Sequence, residues 1–253
     1  MQRPDEIKDD VSSHFGYRTV VAADKAAMVQ RVFASVSGRY DLMNDMMSLG
    51  IHRMWKRALM DMLAPKPDTR LLDVACGTGD IALRFLSRGG GHVTACDRNM
   101  QMVEAGRARA IDKGVLSAIR WVVGDAENLP CADSSVDAYT IAFGLRNVTH
   151  IDNALAEAVR VLEPGGRFMC LEFAPEAASW LEPLYRRYSF AFLPALGQVV
   201  TGDGDAYRYL VESIRRFPKQ AALSERITAA GFDVVKHRNL TGGIVAIHSA
   251  WRI

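Results

Sequence analysis

The chain lacks most of the features that would place a protein in a special class. No apolar run approaches the roughly twenty residues that a transmembrane helix needs. The opening Met1-Gln2-Arg3-Pro4-Asp5-Glu6 is polar and has no apolar centre of the kind a signal peptide carries. A cytoplasmic address follows as the expectation. An excess of one charge sign is missing too: 31 Lys and Arg against 29 Asp and Glu leave a formal net charge of +2, too little to draw the chain to nucleic acid. The four cysteines, Cys76, Cys96, Cys131 and Cys170, form no Cys-x-x-Cys pair and have no histidine cluster nearby. No metal site is expected from them, and they read as buried, reduced thiols. There is no internal repeat and no low-complexity tract.

What is present is an ordinary globular composition, 49% hydrophobic and 24% charged over 253 residues, enough for one principal core. Residues 1–21 show no helical or strand period and read as a flexible tail, with residues 22–253 as a single domain. Within it, residues 22–66 predict N-terminal helices. Ala27, Met28, Val32, Phe33 and Val36 recur at helical spacing, and a second stretch from Leu49 to Leu63 is stopped by Pro65 and Pro67. Over residues 67–175 a short apolar run, a turn and an amphipathic helix alternate. The runs are Arg70–Ala75, His92–Asp97, Ile119–Gly124, Val136–Phe143 and Arg167–Phe173. Their helices are Asp80–Ser87, Met100–Lys113 and Asp152–Leu162, the last closed by Glu163-Pro164-Gly165-Gly166.

That rhythm predicts an α/β fold with an open, doubly wound, mostly parallel sheet. Residues 176–218, rich in aromatics and arginine, read as a helical insertion serving as a substrate lid. Residues 219–253 predict a helix, Lys219–Ala230, and two extended runs, Phe232–Asn239 and Gly243–Arg252, as a C-terminal antiparallel hairpin on the sheet edge.

The chemistry concentrates at strand ends. Gly77-Thr78-Gly79 follows a strand and opens a helix, where glycines let backbone approach a ligand. With Ala82 the same glycines satisfy the dinucleotide pattern G-x-G-x-x-G/A, so a nicotinamide enzyme competes. Asp73 argues against it: a carboxylate just before the turn repels a pyrophosphate and suits the cationic end of a sulfonium cofactor, S-adenosylmethionine. Asp97 and Asp125, at the ends of the next two strands, line the carboxyl edge where open α/β sheets bind ligands. One suits ribose hydroxyls and the other an adenine amine. Singly, Asp97 reads equally well as a helix-capping charge before Asn99, and Asp125 as a turn residue.

Four segments narrow the reading. They are Leu72–Asp80; Arg39–Asp45 followed by Ser48–Trp55; Gly124–Pro130; and Phe143-Gly144-Leu145-Arg146-Asn147-Val148-Thr149. With Arg160–Gly166 and Leu171-Glu172-Phe173 they resemble, in order and from about Phe15 onward, the ubiquinone/menaquinone biosynthesis C-methyltransferases. That family belongs to the class I, Rossmann-like, S-adenosylmethionine-dependent methyltransferases. The resemblance implies methyl transfer to a ring carbon of a polyprenyl-methoxy-benzoquinol, and in some members to demethylmenaquinol.

It also implies cofactor contacts at Thr78, Asp97, Asp125 and Ala126, beside Asp73, Gly77 and Gly79. At Ala142 many members carry a serine, so a contact there is lost or passes to backbone. Arg146 is implied to help activate the quinol, with Asn147 and Tyr40 holding a water. A guanidinium with a pKa above about 12 suits stabilisation of a phenolate better than proton removal. The competing readings are a surface ion pair for Arg146, a helix cap for Asn147 and a helix terminus at Tyr40. Trp180, Leu184, Tyr185, Arg186, Arg187, Tyr188, Phe190, Phe192 and Leu193 suit a membrane interface, so peripheral contact at the inner face of the membrane is expected. The prenylated quinol is the expected partner, with other quinone-biosynthesis proteins and a homodimer left open.

Overall fold

A computed structural model describes residues 12–21, 24–25, 27–29, 48, 50–176 and 204–253. Strand β1 (Ser12–Phe15) and β2 (Arg18–Val21) form an antiparallel hairpin. Helix α1 (His52–Leu63) follows; Ala64 turns left-handed at its end and Pro65 forbids its continuation. The central unit then runs β3 (Leu71–Val74), α2 (Asp80–Ser87), β4 (Val93–Asp97), α3 (Met100–Asp112), β5 (Ile119–Val123), β6 (Val136–Ala142), α4 (Ile151–Val161) and β7 (Leu162–Phe173). Helix α5 (Gly204–Arg216), helix α6 (Gln220–Ala229), β8 (Asp233–Leu240) and β9 (Val245–Trp251) complete it.

The seven-stranded sheet has the order β5-β4-β3-β6-β7-β9-β8. Its pairs are parallel from β5 through β7 and antiparallel from β7 through β9 to β8. This is the mostly parallel sheet with a C-terminal hairpin that the sequence pattern predicts. All four residues of β3 are buried, as expected of a strand covered on both faces. One face carries Trp55, Leu59 and Met60 of α1 with Ile81 and Phe85 of α2. The other carries Leu155 and Ala158 of α4 with Leu223 and Ile227 of α6. Strand order reverses at β3, which lies between β4 and β6, so a crevice opens beyond its carboxyl end.

Three expectations change. Residues 12–21 are not a featureless tail: Gly16 supplies the positive φ the turn needs, and Phe15 stacks on Tyr209 of α5 at 4.1 Å. The strands are four residues each and their main apolar contact lies far along the chain, so no local period announces them. Strand β7 begins at Leu162, with an irregular register opposite Val136–Ala138, because the Pro164-Gly165 turn stays bonded to the sheet through the Gly165 amide on the Arg252 carbonyl. Cys131 is only half-buried, whereas Cys76, Cys96 and Cys170 are buried. Of the lid segment, Gly204–Arg216 is helical; residues 177–203, with the interfacial aromatics, lie outside the described residues, as do Tyr40 and the rest of Arg39–Asp45. Among the described residues no helix is long and apolar enough to cross a membrane.

Candidate active site

A cleft lies at the strand-order reversal, bounded by Gly77, Asp97, Asp125, Phe143, Gly144 and Asn147 among others. Its floor is the turn after β3. Gly77 and Gly79 both hold positive φ, and a Cβ on Gly79 would come within 2.5 Å of the Trp121 ring. Trp121 is a β5 residue wedged under the turn from the other side by Gly106 of α3, where a Cβ would sit 2.4 Å from the same ring. The turn is thus shaped by an indole that only glycines admit. It is tethered further by Arg109, which donates to the Thr78 hydroxyl, and by Lys56 of α1, whose Nζ lies 2.8 Å from Asp80 at the start of α2.

Asp97 is built to present a carboxylate edge. Its Oδ2 accepts the Gly77 amide at 2.8 Å and its Oδ1 accepts the Asn99 amide at 2.8 Å. Each oxygen keeps a second lone pair, so two neighbouring hydroxyls could be bound together. Burial raises its pKa, and the backbone amides oppose that rise. Capping of α3 falls to Asn99, which accepts from the Gln101 and Met102 amides, leaving Asp97 available to the cleft. Asp125 accepts the Glu127 amide at 3.0 Å on one oxygen and pairs with Arg98 at 2.9 Å on the other. Ala126 lines the same wall.

Asp73 sits differently from the expectation. It is buried at 1% exposure beneath the turn and is not among the cleft-lining residues. Thr140 of β6 donates to its Oδ1 at 2.9 Å. Burial pushes its pKa up to about 7, against the pull of the Thr140 hydroxyl, the Ala82 amide and Lys56. Asp73 therefore supports the turn that floors the cleft, bonded to Thr140 across the sheet. Thr78 and Gly79 likewise shape the turn without lining the cleft, and Ala142 packs partly buried against the core.

The segment after β6 forms a tight 3-10 turn, Leu145–Asn147, that brings Gly144 and Asn147 to the cleft and turns Arg146 inward. Arg146 is buried: its guanidinium lies 2.7 Å from Glu172 Oε1, donates to the Phe143 carbonyl and sits over the Phe173 ring at 5.6 Å. Its backbone amide reaches Glu172 Oε2 at 3.3 Å. Burial raises the Glu172 carboxyl above the usual carboxylate range, and Arg146 opposes that rise. The surface-pair reading is thus replaced by a buried pair that pins the turn to β7. Asn147 faces the cleft and its Oδ1 accepts the Tyr209 hydroxyl at 3.1 Å.

Sequence reasoning missed Glu172 as the partner of Arg146, Tyr209 behind Asn147, Trp121 under the turn and Lys25, whose Nζ reaches the Val148 carbonyl at 2.8 Å.

The fold and the acids at the strand ends define a class I methyltransferase architecture. A structure titled as a SAM-dependent methyltransferase from Aquifex aeolicus shares it, with a TM-score of 0.58 and 16% identity, covering 78% of this chain and 89% of that one. Over residues 19–252 the chain matches the ubiE/COQ5 methyltransferase family, and it belongs to that family. The ubiquinone/menaquinone biosynthesis C-methyltransferase UbiE of Paracoccus denitrificans is 54% identical over 251 residues, 99% of each chain. The mitochondrial 2-methoxy-6-polyprenyl-1,4-benzoquinol methylase of Bos taurus is 48% identical, covering 97% of this chain and 85% of that one.

Proposed function

We propose that this methyltransferase forms a carbon–carbon bond between the methyl group of S-adenosylmethionine and a ring carbon of a polyprenyl-methoxy-benzoquinol, with demethylmenaquinol as a second substrate. The near full-length identity to relatives named for these reactions carries the proposal. The cleft fits the cofactor. Asp97 offers two acceptors side by side for ribose hydroxyls, and Asp125 with Ala126 forms the wall for adenine. When bound, S-adenosylmethionine supplies an electrophilic methyl on a cationic sulfur.

The chain's own residues then orient the quinol and ease loss of its hydroxyl proton to water, which makes the ring carbon a stronger nucleophile; once that carbon carries the methyl, its hydrogen leaves as a proton and the hydroxyl is restored. Asn147 and Thr149 are the polar residues of the Phe143–Thr149 wall that line the cleft, and Asn147 serves as the donor to the quinol oxygen. Arg146 is a positioning residue: its Nη1 bonds both Glu172 and the Phe143 carbonyl, and so it holds the turn that carries Gly144 and Asn147. The aromatic and arginine composition of Trp180–Leu193 suits contact with the membrane that holds the prenyl chain.

Incubating the pure protein with methyl-labelled S-adenosylmethionine and each demethyl quinol is expected to label both, the benzoquinol included. No transfer to either overturns the proposal. For the membrane part, flotation with anionic liposomes should carry the protein upward; complete retention in the soluble fraction, with and without quinol, removes it.

A further inference from the structure

An asparagine amide has two similar ends, one accepting and one donating, and which end faces a ligand is decided by what holds the other. Asn147 lines the cleft, and its Oδ1 accepts the hydroxyl proton of Tyr209. Tyr209 is 3% exposed. Burial holds its hydroxyl well above the usual phenol range, so it remains a donor at any working pH. Its ring is fixed in turn by Phe15 of the N-terminal hairpin, stacked at 4.1 Å with 14° between planes. The hairpin is anchored to the same helix: Glu212 accepts the Tyr17 amide at 3.0 Å, and Arg216 donates to the Gly16 carbonyl.

We infer that Tyr209 is a positioning residue of the active site: it occupies Asn147 Oδ1 and thereby turns the Asn147 amide group, as donor, toward the quinol oxygen, with the Phe15 hairpin as its clamp. The inference rests on the functional reading above. Without the Tyr209 hydroxyl the amide is free to rotate, and half of its orientations would present an acceptor to the oxygen where charge develops. A developing phenolate is stabilised by a donor and disfavoured by an acceptor, so the loss should fall on turnover and not on cofactor binding.

The test is Tyr209→Phe, which removes one oxygen and keeps the ring that Phe15 stacks on. In the labelled-methyl assay kcat should fall about tenfold or more, the magnitude typical of losing an orienting partner or an aimed donor, while KM for S-adenosylmethionine stays within twofold. In an Asn147→Ala background the same change should have no further effect on kcat. Tyr209→Phe at wild-type kcat, or an equal loss in both backgrounds, overturns the inference. A second readout does not depend on turnover: with asparagine labelled in its side-chain amide, the Asn147 signal, assigned by its loss in Asn147→Ala, should shift in Tyr209→Phe. An unmoved signal overturns the inference even if the variant is slow. A wild-type protein that methylates no quinol would instead refute the functional reading, and the amide signal would still decide whether Tyr209 holds Asn147.

Discussion

Replacing Glu172 by Gln probes the contact that fixes the Phe143–Asn147 turn. In the folded protein Glu172 and Arg146 have side chains 1% and 3% exposed, and their charged atoms lie 2.7 Å apart. The substitution keeps the shape of the side chain but leaves the guanidinium charge buried without a counter-charge, with only the neutral carbonyls of the new side-chain amide and of Phe143 as acceptors. Breaking one side of a buried pair costs about 3 kcal/mol or more. For a domain of this size, that corresponds to a fall in Tm of roughly 6–12 °C. Removing both charges together, as Arg146→Met with Glu172→Leu, should return most of that loss, because the desolvation cost of the pair disappears with it.

Thermal unfolding followed by circular dichroism reads both. A Glu172→Gln protein that melts with wild type, or a double variant less stable than the single one, would refute the buried pair as the anchor of the turn. Kinetics add a second reading. If Arg146 works by positioning, Arg146→Lys should lower kcat without removing a limb of the pH–rate profile, since no proton passes through it.

Other outcomes follow from the same geometry. Gly106→Ala should push Trp121 into the Gly77–Gly79 turn, raising Kd for S-adenosylmethionine several-fold by titration calorimetry, whereas Gly114→Ala, where no atom lies within 4 Å, should not touch affinity. Asp97→Asn should weaken cofactor binding by at least tenfold, roughly the worth of a charge-assisted hydrogen bond; unchanged affinity would remove Asp97 from the ribose site. His248, buried with its Nε2 on the Gln220 carbonyl, has its pKa lowered to about 4 by burial. The unfolded chain therefore takes up its proton first as pH falls, and the stability it contributes is present above about pH 6.5 and is lost toward pH 4. Asp73, raised to about 7, acts in the opposite direction over the same window, so the His248 contribution is read as the difference in urea midpoint between wild type and His248→Gln at pH 7.5 and 4.5. A difference independent of pH would refute it.

Much of this arrangement was legible in the sequence where local rules decide. Strand β3, the Gly77–Gly79 turn and helix α2 are written in consecutive residues, and Asp97 and Asp125 could be placed on the sheet edge because a strand's end can be read from where its apolar run stops. Side-chain direction could not be read. Asp73 and Arg146 sit in recognisable motifs, yet both turn inward, because their partners Thr140 and Glu172 come from other strands and only the parallel register brings them together. The hairpin at residues 12–21 was illegible for a related reason: its apolar hold on the protein is Phe15 against Tyr209, a contact 194 positions long that leaves no period in either segment.

The most direct test of the proposed chemistry is where the methyl carbon lands. With S-adenosylmethionine carrying a carbon-13 methyl group and a demethyl polyprenyl-methoxy-benzoquinol, the product's carbon spectrum should show the label as a methyl bound to a ring carbon, with one ring hydrogen lost and both hydroxyls intact. A label found on a quinol oxygen, or no labelled product while S-adenosylmethionine binds normally, would contradict it.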